Sequence, residues 1–327
     1  MALPQSTSRA VPALIFLTLS VACFFSMDMI SLIRDFPPPT ATGFIEWSDG
    51  KFPIFDKYHW FRPLDPVIRE VTVGFAPSSF GYDDMQKLIM QHSPGIIAFI
   101  AQFGGGGVII PIYYALYMTF TTPLLAQPLS KRKIDMGGAA LWAFLSVLLH
   151  VIPAFGIMFD TTLEGRHQWT WFWQLYSVRI SLSWYAIMFG AKFIPRWNLG
   201  QETSYRRKIT MVLAPFIGLA VSLWVYTMLY CPHPMSEVFF PHPLAEDTWV
   251  LRMRRILQFD QLFIFGSSIL WVSLDSRRNG LGNGVGLMIV GIFLAILVSP
   301  GASFGILWLW RECQLLGDER VDLSKKS

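Results

Sequence analysis

The chain has 327 residues, of which 53% are apolar and only 15% charged, against roughly 25% charged in an ordinary soluble domain; its mean hydropathy is +0.43. The 26 basic and 22 acidic residues leave a formal charge of +4. These values exclude a disordered chain, a disulfide-rich secreted module and a nucleic-acid reader, and the three separated cysteines, Cys23, Cys231 and Cys313, form neither a disulfide framework nor a zinc site.

A helix that crosses a bilayer needs about 20 mostly apolar residues. Seven segments meet that requirement: 10–33, 93–120, 137–160, 169–193, 209–230, 256–275 and 285–310. The first is too long for the apolar region of a cleaved signal peptide and is read as a retained helix. An eighth stretch, 64–80, is shorter, opens Leu64-Asp65-Pro66 and carries Arg69 and Glu70; it reads as a re-entrant or interfacial helix, or as an eighth span. The predicted fold class is therefore all-α, one polytopic bundle of seven to eight transmembrane helices forming a single domain over 1–327. Nine basic residues (Lys131, Arg132, Lys133, Arg196, Arg206, Arg207, Lys208, Arg277 and Arg278) fall in loops on one face, against Arg166, Arg252, Arg254 and Arg255 on the other. Short basic loops stay cytosolic, which orients the bundle. Seven continuous spans put the tail, with Arg311, Arg320, Lys325 and Lys326, on the opposite side, against that rule.

An ionisable side chain inside a span is a functional hypothesis by default. The candidates are Asp28, His150, Arg179 and Asp260, with Asp160 and Glu164 where 137–160 leaves the membrane. With seven spans, Asp28, Asp160, Glu164 and Asp260 all lie toward the non-cytosolic ends of their helices and Arg179 enters from the same side. With eight, Asp28 leaves the cluster. Asp260 is the foremost candidate, flanked by Gln258 and Gln261 and by Phe259, Phe263 and Phe265. Each residue also has a structural reading: Asp28 snorkelling to the interface, Arg179 pairing with one acid, His150 hydrogen-bonded in the packing. Asp275, beside Arg277 and Arg278, reads as a solvated helix end. Burial favours the neutral form of a carboxyl, and a neutral acid in an apolar site suits protonation of an epoxide or alkene on a lipid-like substrate. Ring faces stabilise cations. Trp169, Trp171 and Trp173 fit an interfacial belt, whereas Trp184 lies deeper. Gly104-Gly105-Gly106-Gly107 permits close helix approach or a local break, and the proline-rich stretch 231–243 reads as a stiff loop or pocket rim. Asp83-Asp84 is the only acidic doublet resembling a magnesium–diphosphate motif, and no nucleotide, haem or HExxH pattern occurs. No metal and no cofactor are expected.

The runs Leu64-Asp65-Pro66 with Val73-Gly74-Phe75-Ala76-Pro77, Gly107 to Tyr114 with Pro111, and Leu257-Gln258-Phe259-Asp260-Gln261 with Leu270-Trp271 resemble the fungal integral-membrane terpene cyclases of meroterpenoid pathways, closest to the ascochlorin/ascofuranone type and the related membrane protein of paxilline-type clusters. The resemblance implies metal-independent, acid-initiated cyclisation of a farnesyl-type chain on a polar head, in the endoplasmic-reticulum membrane. It implies a hydrophobic prenylated substrate, the lipid bilayer as surroundings and a pathway epoxidase or prenyltransferase as partner. Asp260 is then the expected proton donor, and Asp28 or Glu164 the second acid. Asp65 is a motif candidate with a helix-capping alternative. Arg179 would tune local charge; Trp184 and Phe263 would stabilise the cation. The alternative is a non-catalytic membrane carrier or scaffold, in which Asp260 and Arg179 hold helices together.

Overall fold

The structure is a computed structural model that describes residues 5–34, 44–47, 50–53, 105–124, 136–174, 176–191, 205–241 and 249–315. The expected segment 64–80, with Asp65, and the start of 93–120 lie outside the described residues, as does Asp83-Asp84.

The apolar runs form helices: α1 (Gln5–Ser26), α2 (Met29–Arg34), α3 (Gly106–Phe120), α4 (Met136–Ser146), α5 (Ile152–Phe159), α6 (Leu163–Trp173), α7 (Tyr176–Gly190), α8 (Tyr205–Tyr230), α9 (Met235–Phe239), α10 (Trp249–Arg278), α11 (Gly284–Val298) and α12 (Pro300–Leu315). A π-helical turn, Val147–Val151, joins α4 to α5 in one rod. The one departure from the all-α expectation is an antiparallel hairpin, β1 (Phe44–Trp47) and β2 (Gly50–Pro53), with Trp47 opposite Gly50.

Among the described residues, four helical stretches are long and apolar enough to cross a membrane: Arg9–Ser26, Met136–Phe159, Tyr205–Tyr230 and Arg254–Arg278. The helices α3 and α11 are apolar but only 15 residues each, about 22 Å at 1.5 Å per residue.

Three expected spans are interrupted. The segment 10–33 breaks at Met27–Asp28, where Asp28 adopts φ 50°, a left-handed value that Asp tolerates better than most residues. The segment 169–193 is preceded by α6 and broken at Gln174, whose ψ of 145° ends that helix. The segment 285–310 is a helical hairpin. Ser299 turns at φ 115° and Pro300 starts α12, since proline suits a first helical position and cannot continue the helix before it. The Ser303 hydroxyl donates to the Gly291 carbonyl at 2.6 Å, and a methyl added at Gly291 would meet Leu307 at 2.7 Å, so α12 returns along α11.

The central helix is α10, packed by α1, α3, α11 and α12. Its small residues allow close approach: Tyr114 reaches Ser268 at 2.9 Å and stacks on Trp271 with centroids 4.9 Å apart. Pairings fix the helix directions. Asp260 meets Gly107 and Arg278 meets Met118, so α3 and α10 are parallel. Phe16 meets Tyr114 and Cys23 meets Gly107, so α1 is antiparallel to both. Arg206 meets Cys313 while Ala220 meets Gly301, so α8 is antiparallel to α12. Met136 packs with Tyr205 and Leu309, so the α4–α5 rod starts beside the start of α8; Trp184 donates to the Gly138 carbonyl at 2.8 Å while Trp173 meets His150, so α7 returns along the rod. The bundle thus has an Asp260 end and an Arg311 end.

Candidate active site

The helix α3 begins at Gly106 with no side-chain cap of its own; Gly105 precedes it at φ 80°. The first amides of a helix lack internal partners. Here a neighbouring helix supplies one: the Gly107 N–H donates to Asp260 Oδ1 at 2.6 Å, with the Gly106 N–H a second donor. The glycines are required by crowding. A Cβ on Gly107 would stand 2.7 Å from Cys23 Sγ and 2.9 Å from the Asp260 carbonyl oxygen; one on Gly106 would stand 2.6 Å from Ile264 Cδ1. A Cβ on Gly105 would meet Met27 Cε at 2.9 Å and Asp260 Oδ1 at 3.0 Å, at a φ that already favours glycine. The run of glycines therefore seats a carboxylate against a helix N-terminus, where amides and the helix dipole favour negative charge.

Around the carboxylate, Cys23, Met27 and Ile256 are buried together with the rings of Phe24, Phe259 and Phe263. The expected cation-stabilising residue Phe263 is beside Asp260 in this group. Gln258 faces elsewhere: its Nε2 donates to the Glu237 and Val238 carbonyls at 2.7 and 2.9 Å, pinning α9 onto α10. The proline-rich stretch that contains α9 thus lies against the helix two residues from Asp260. Gln261 is buried, and its Nε2 has no hydrogen-bond partner among the described residues. No cation pairs with Asp260 among the described residues.

The other expected acids keep local company. Asp28 is exposed in the turn after α1, next to Met27. Asp160 Oδ1 accepts from the Thr162 N–H and hydroxyl, both at 2.9 Å; these bonds hold its carboxyl below the usual carboxylate range. Glu164 is exposed in the first turn of α6. Among the described residues, no three His, Cys, Asp or Glu side chains gather as a metal site.

Two expected members pack elsewhere. Arg179 donates to the Phe172 carbonyl and lies over that residue's ring, 4.9 Å from its centroid. It satisfies a carbonyl left open where α6 ends, which is why a cation is tolerated there. Trp184 packs with Tyr176 and Ile180 against α4. Neither belongs to the group around Asp260.

Asp275 is not a solvated helix end: it is 1% exposed. Arg311 donates to it through Nε at 2.8 Å and through Nη2, bonds Glu312 through Nη1, and lies over the Trp271 ring. The return of α12 along α10 brings these residues together. The sequence signal was the pair Arg311-Glu312 inside an otherwise apolar helix.

No family model and no solved structure matches the chain. Over 259 residues, 75% of its length, it is 25% identical to a protein of Penicillium polonicum named FAD-dependent monooxygenase verC1. The matched stretch is 32% of that protein, so the chain spans about a third of the length of the curated relative it matches.

Proposed function

We propose that the chain is a multi-pass endoplasmic-reticulum terpene cyclase in which Asp260 protonates a terminal epoxide or alkene of a farnesyl-type chain. The observation that carries this reading is the seating of Asp260 among aromatic rings with its carboxyl against the first amides of α3. When the acid gives up its proton, those amides and the helix dipole stabilise the carboxylate left behind, as preorganised donors stabilise developing charge in other enzymes. Phe24 and Phe263 would face the carbocation, whereas the Phe259 ring already carries the Arg255 guanidinium, 5.5 Å from its centroid. The cation closes onto a neighbouring double bond and finally loses a proton, so the product is an isomer of the substrate. Asp28, at the same end, is the candidate acceptor of that last proton.

The membrane reading follows from the helix directions. Residues Arg206, Arg207, Lys208, Arg277, Arg278 and Arg311 lie at one end. With α11 and α12 as a hairpin, α12 ends at the basic end, which fits the charge pattern. We assign that end to the cytosol and count eight traverses among the described residues, of which α3, α7, α11 and α12 are only 15 or 16 residues long.

The relative bears on the supply of substrate. Two thirds of that protein lies outside the matched stretch, and its name describes a flavin-dependent oxygenase. We propose that flavin-dependent oxygenase chemistry of this kind supplies the epoxide.

A second reading has its own observation. A carboxylate that caps a neighbouring helix is a complete structural role, and it suits a non-catalytic carrier or scaffold. Product analysis separates the two. Microsomes containing the chain are given a terminally epoxidised farnesyl-phenol, beside the Asp260→Asn variant. The cyclase reading expects a cyclised isomer of unchanged mass, formed at least ~100-fold more slowly by the variant, in line with the 10²–10⁴-fold contribution of a general acid. Equal product from both removes Asp260 from catalysis. No product from a panel of polyprenyl heads, with folded protein, favours the carrier.

A further inference from the structure

The second polar feature lies in the rod and its returning partner, away from Asp260. The π-helical turn Val147–Val151 contains His150. Such turns interrupt a helix at a cost and recur at functional sites. Facing it, the break at Gln174 interrupts the returning helix. The two irregularities meet: the Trp173 Nε1–H donates to His150 Nδ1 at 2.9 Å, and the His150 ring lies 4.3 Å from that of Tyr176. A ring nitrogen that accepts carries no proton, so His150 is neutral with its hydrogen on Nε2.

Gln174, between these two aromatic residues, is only 4% exposed, and its Nε2 has no hydrogen-bond partner among the described residues. Ser177, 6% exposed, likewise has an unpartnered hydroxyl. A buried amide left unpaired is costly, which points to a partner from outside the described residues. The groups offered are donors: His150 Nε2–H, the Gln174 amide and the Ser177 hydroxyl. They call for an oxygen acceptor. The Trp173 and Tyr176 rings call for a flat ring beside that oxygen. Val147, Leu148 and Ile152, on the π-helical turn and just after it, are exposed and apolar, so the approach is from an apolar phase.

We propose that the notch between the π-helical turn and the Gln174 break is a ligand site, separate from the Asp260 corner, for the ring oxygen of an apolar-tailed phenol or quinone entering from the bilayer. The π-helical turn directs His150 at the oxygen, and the break places Gln174 on its other side.

Binding of radiolabelled farnesyl-phenol to the full chain in detergent tests this without reference to any reaction. His150→Phe and Gln174→Leu should each raise Kd about five- to tenfold, the worth of one buried hydrogen bond. His150→Gln, which keeps a donor near the Nε2 position, should restore most of the affinity and shows that loss in the phenylalanine variant is not misfolding. Farnesyl-benzene, which lacks the oxygen, should bind at least fivefold more weakly to wild type, and equally to wild type and both variants. Farnesyl-benzoquinone binding with the same variant pattern supports the shared ring-oxygen chemistry. Tyr114→Phe, on the α3–α10 contact away from the notch, should leave Kd unchanged. Unchanged binding in both notch variants, or loss of binding in Asp260→Asn alone, overturns the proposal. Because the assay reads affinity, a failed cyclisation with intact, His150-dependent binding sinks the cyclase reading and not this one.

Discussion

Two aspartates on α10, four turns apart, are held in opposite ways. Asp275 is buried with a full positive charge, bonded by Nε and Nη2 of Arg311, with Glu312 on the same guanidinium. Asp260 has no such cation among the described residues and rests on backbone amides at the start of α3. A carboxylate tied to arginine is fixed in its charge and its place. One held by dipoles alone keeps its position through a change of protonation. The first arrangement suits a clamp between helices, the second a group that works on a proton.

The contrast can be broken from the Asp275 side first. Arg311→Leu leaves Asp275 and Glu312 buried without their cation, and removal of one partner of a buried ion pair costs about 3–5 kcal/mol. Thermal unfolding in detergent should show the largest loss of stability of any single substitution considered; a Tm near wild type would mean that the cluster is not a clamp. Next comes Gly107→Ala. Its Cβ would stand 2.7 Å from Cys23 Sγ and 2.9 Å from backbone, and such overpacking costs about 1–3 kcal/mol. Product formation should fall with it, because Asp260 and the α3 amides are forced apart; full activity would show that the seat of Asp260 is immaterial. Tyr114→Phe removes the hydroxyl bonded to Ser268 at 2.9 Å, a loss of about 1 kcal/mol, and should leave product formation unchanged while lowering Tm slightly. If cyclisation falls instead, the middle of α10 is part of the site.

The smallest effect is at Asp160. Its carboxyl is held below the usual carboxylate range by the Thr162 amide and hydroxyl. A group depressed in the folded state adds stability above its unfolded value, and that stability is lost as pH falls through the folded value. Wild type and Asp160→Ala should therefore differ slightly at neutral pH and converge under acid. A difference that grows on acidification would contradict the local turn as its cause.

Much of the architecture was legible along the chain. Apolar stretches at 137–160, 209–230 and 256–275 became helices close to the expected bounds, because length and hydropathy are local properties. The interruptions were harder to see. Ser299-Pro300 reads as a tolerable kink in an apolar run, yet the left-handed Ser299 makes it a reversal, and that reversal carries Arg311 to Asp275. For the site, Asp260 and Phe263 were legible as a polar residue and a ring on one helix. Cys23 and Met27 were not, since they come from α1; the glycines were legible as a close approach or break, but not as the seat of Asp260. Arg179 and Trp184 stood out by type alone, and the helix break at Gln174 gave them other partners.

The sequence by itself determined that the chain is built of apolar helices and which ionisable residues lie in or beside them. Composition and periodicity suffice for that because each helix satisfies its own backbone. Which of the helices run unbroken far enough to cross a bilayer was decided by the breaks at Asp28, Gln174 and Ser299. Only the tertiary structure decided what each polar side chain in these helices leans on: glycine amides for Asp260, arginine for Asp275, a tryptophan N–H for the neutral His150. Those partners are fixed by which helices touch and in which direction they run. Residues more than a hundred and fifty positions apart, such as Gly107 and Asp260, then share a hydrogen bond that nothing in their local sequence requires.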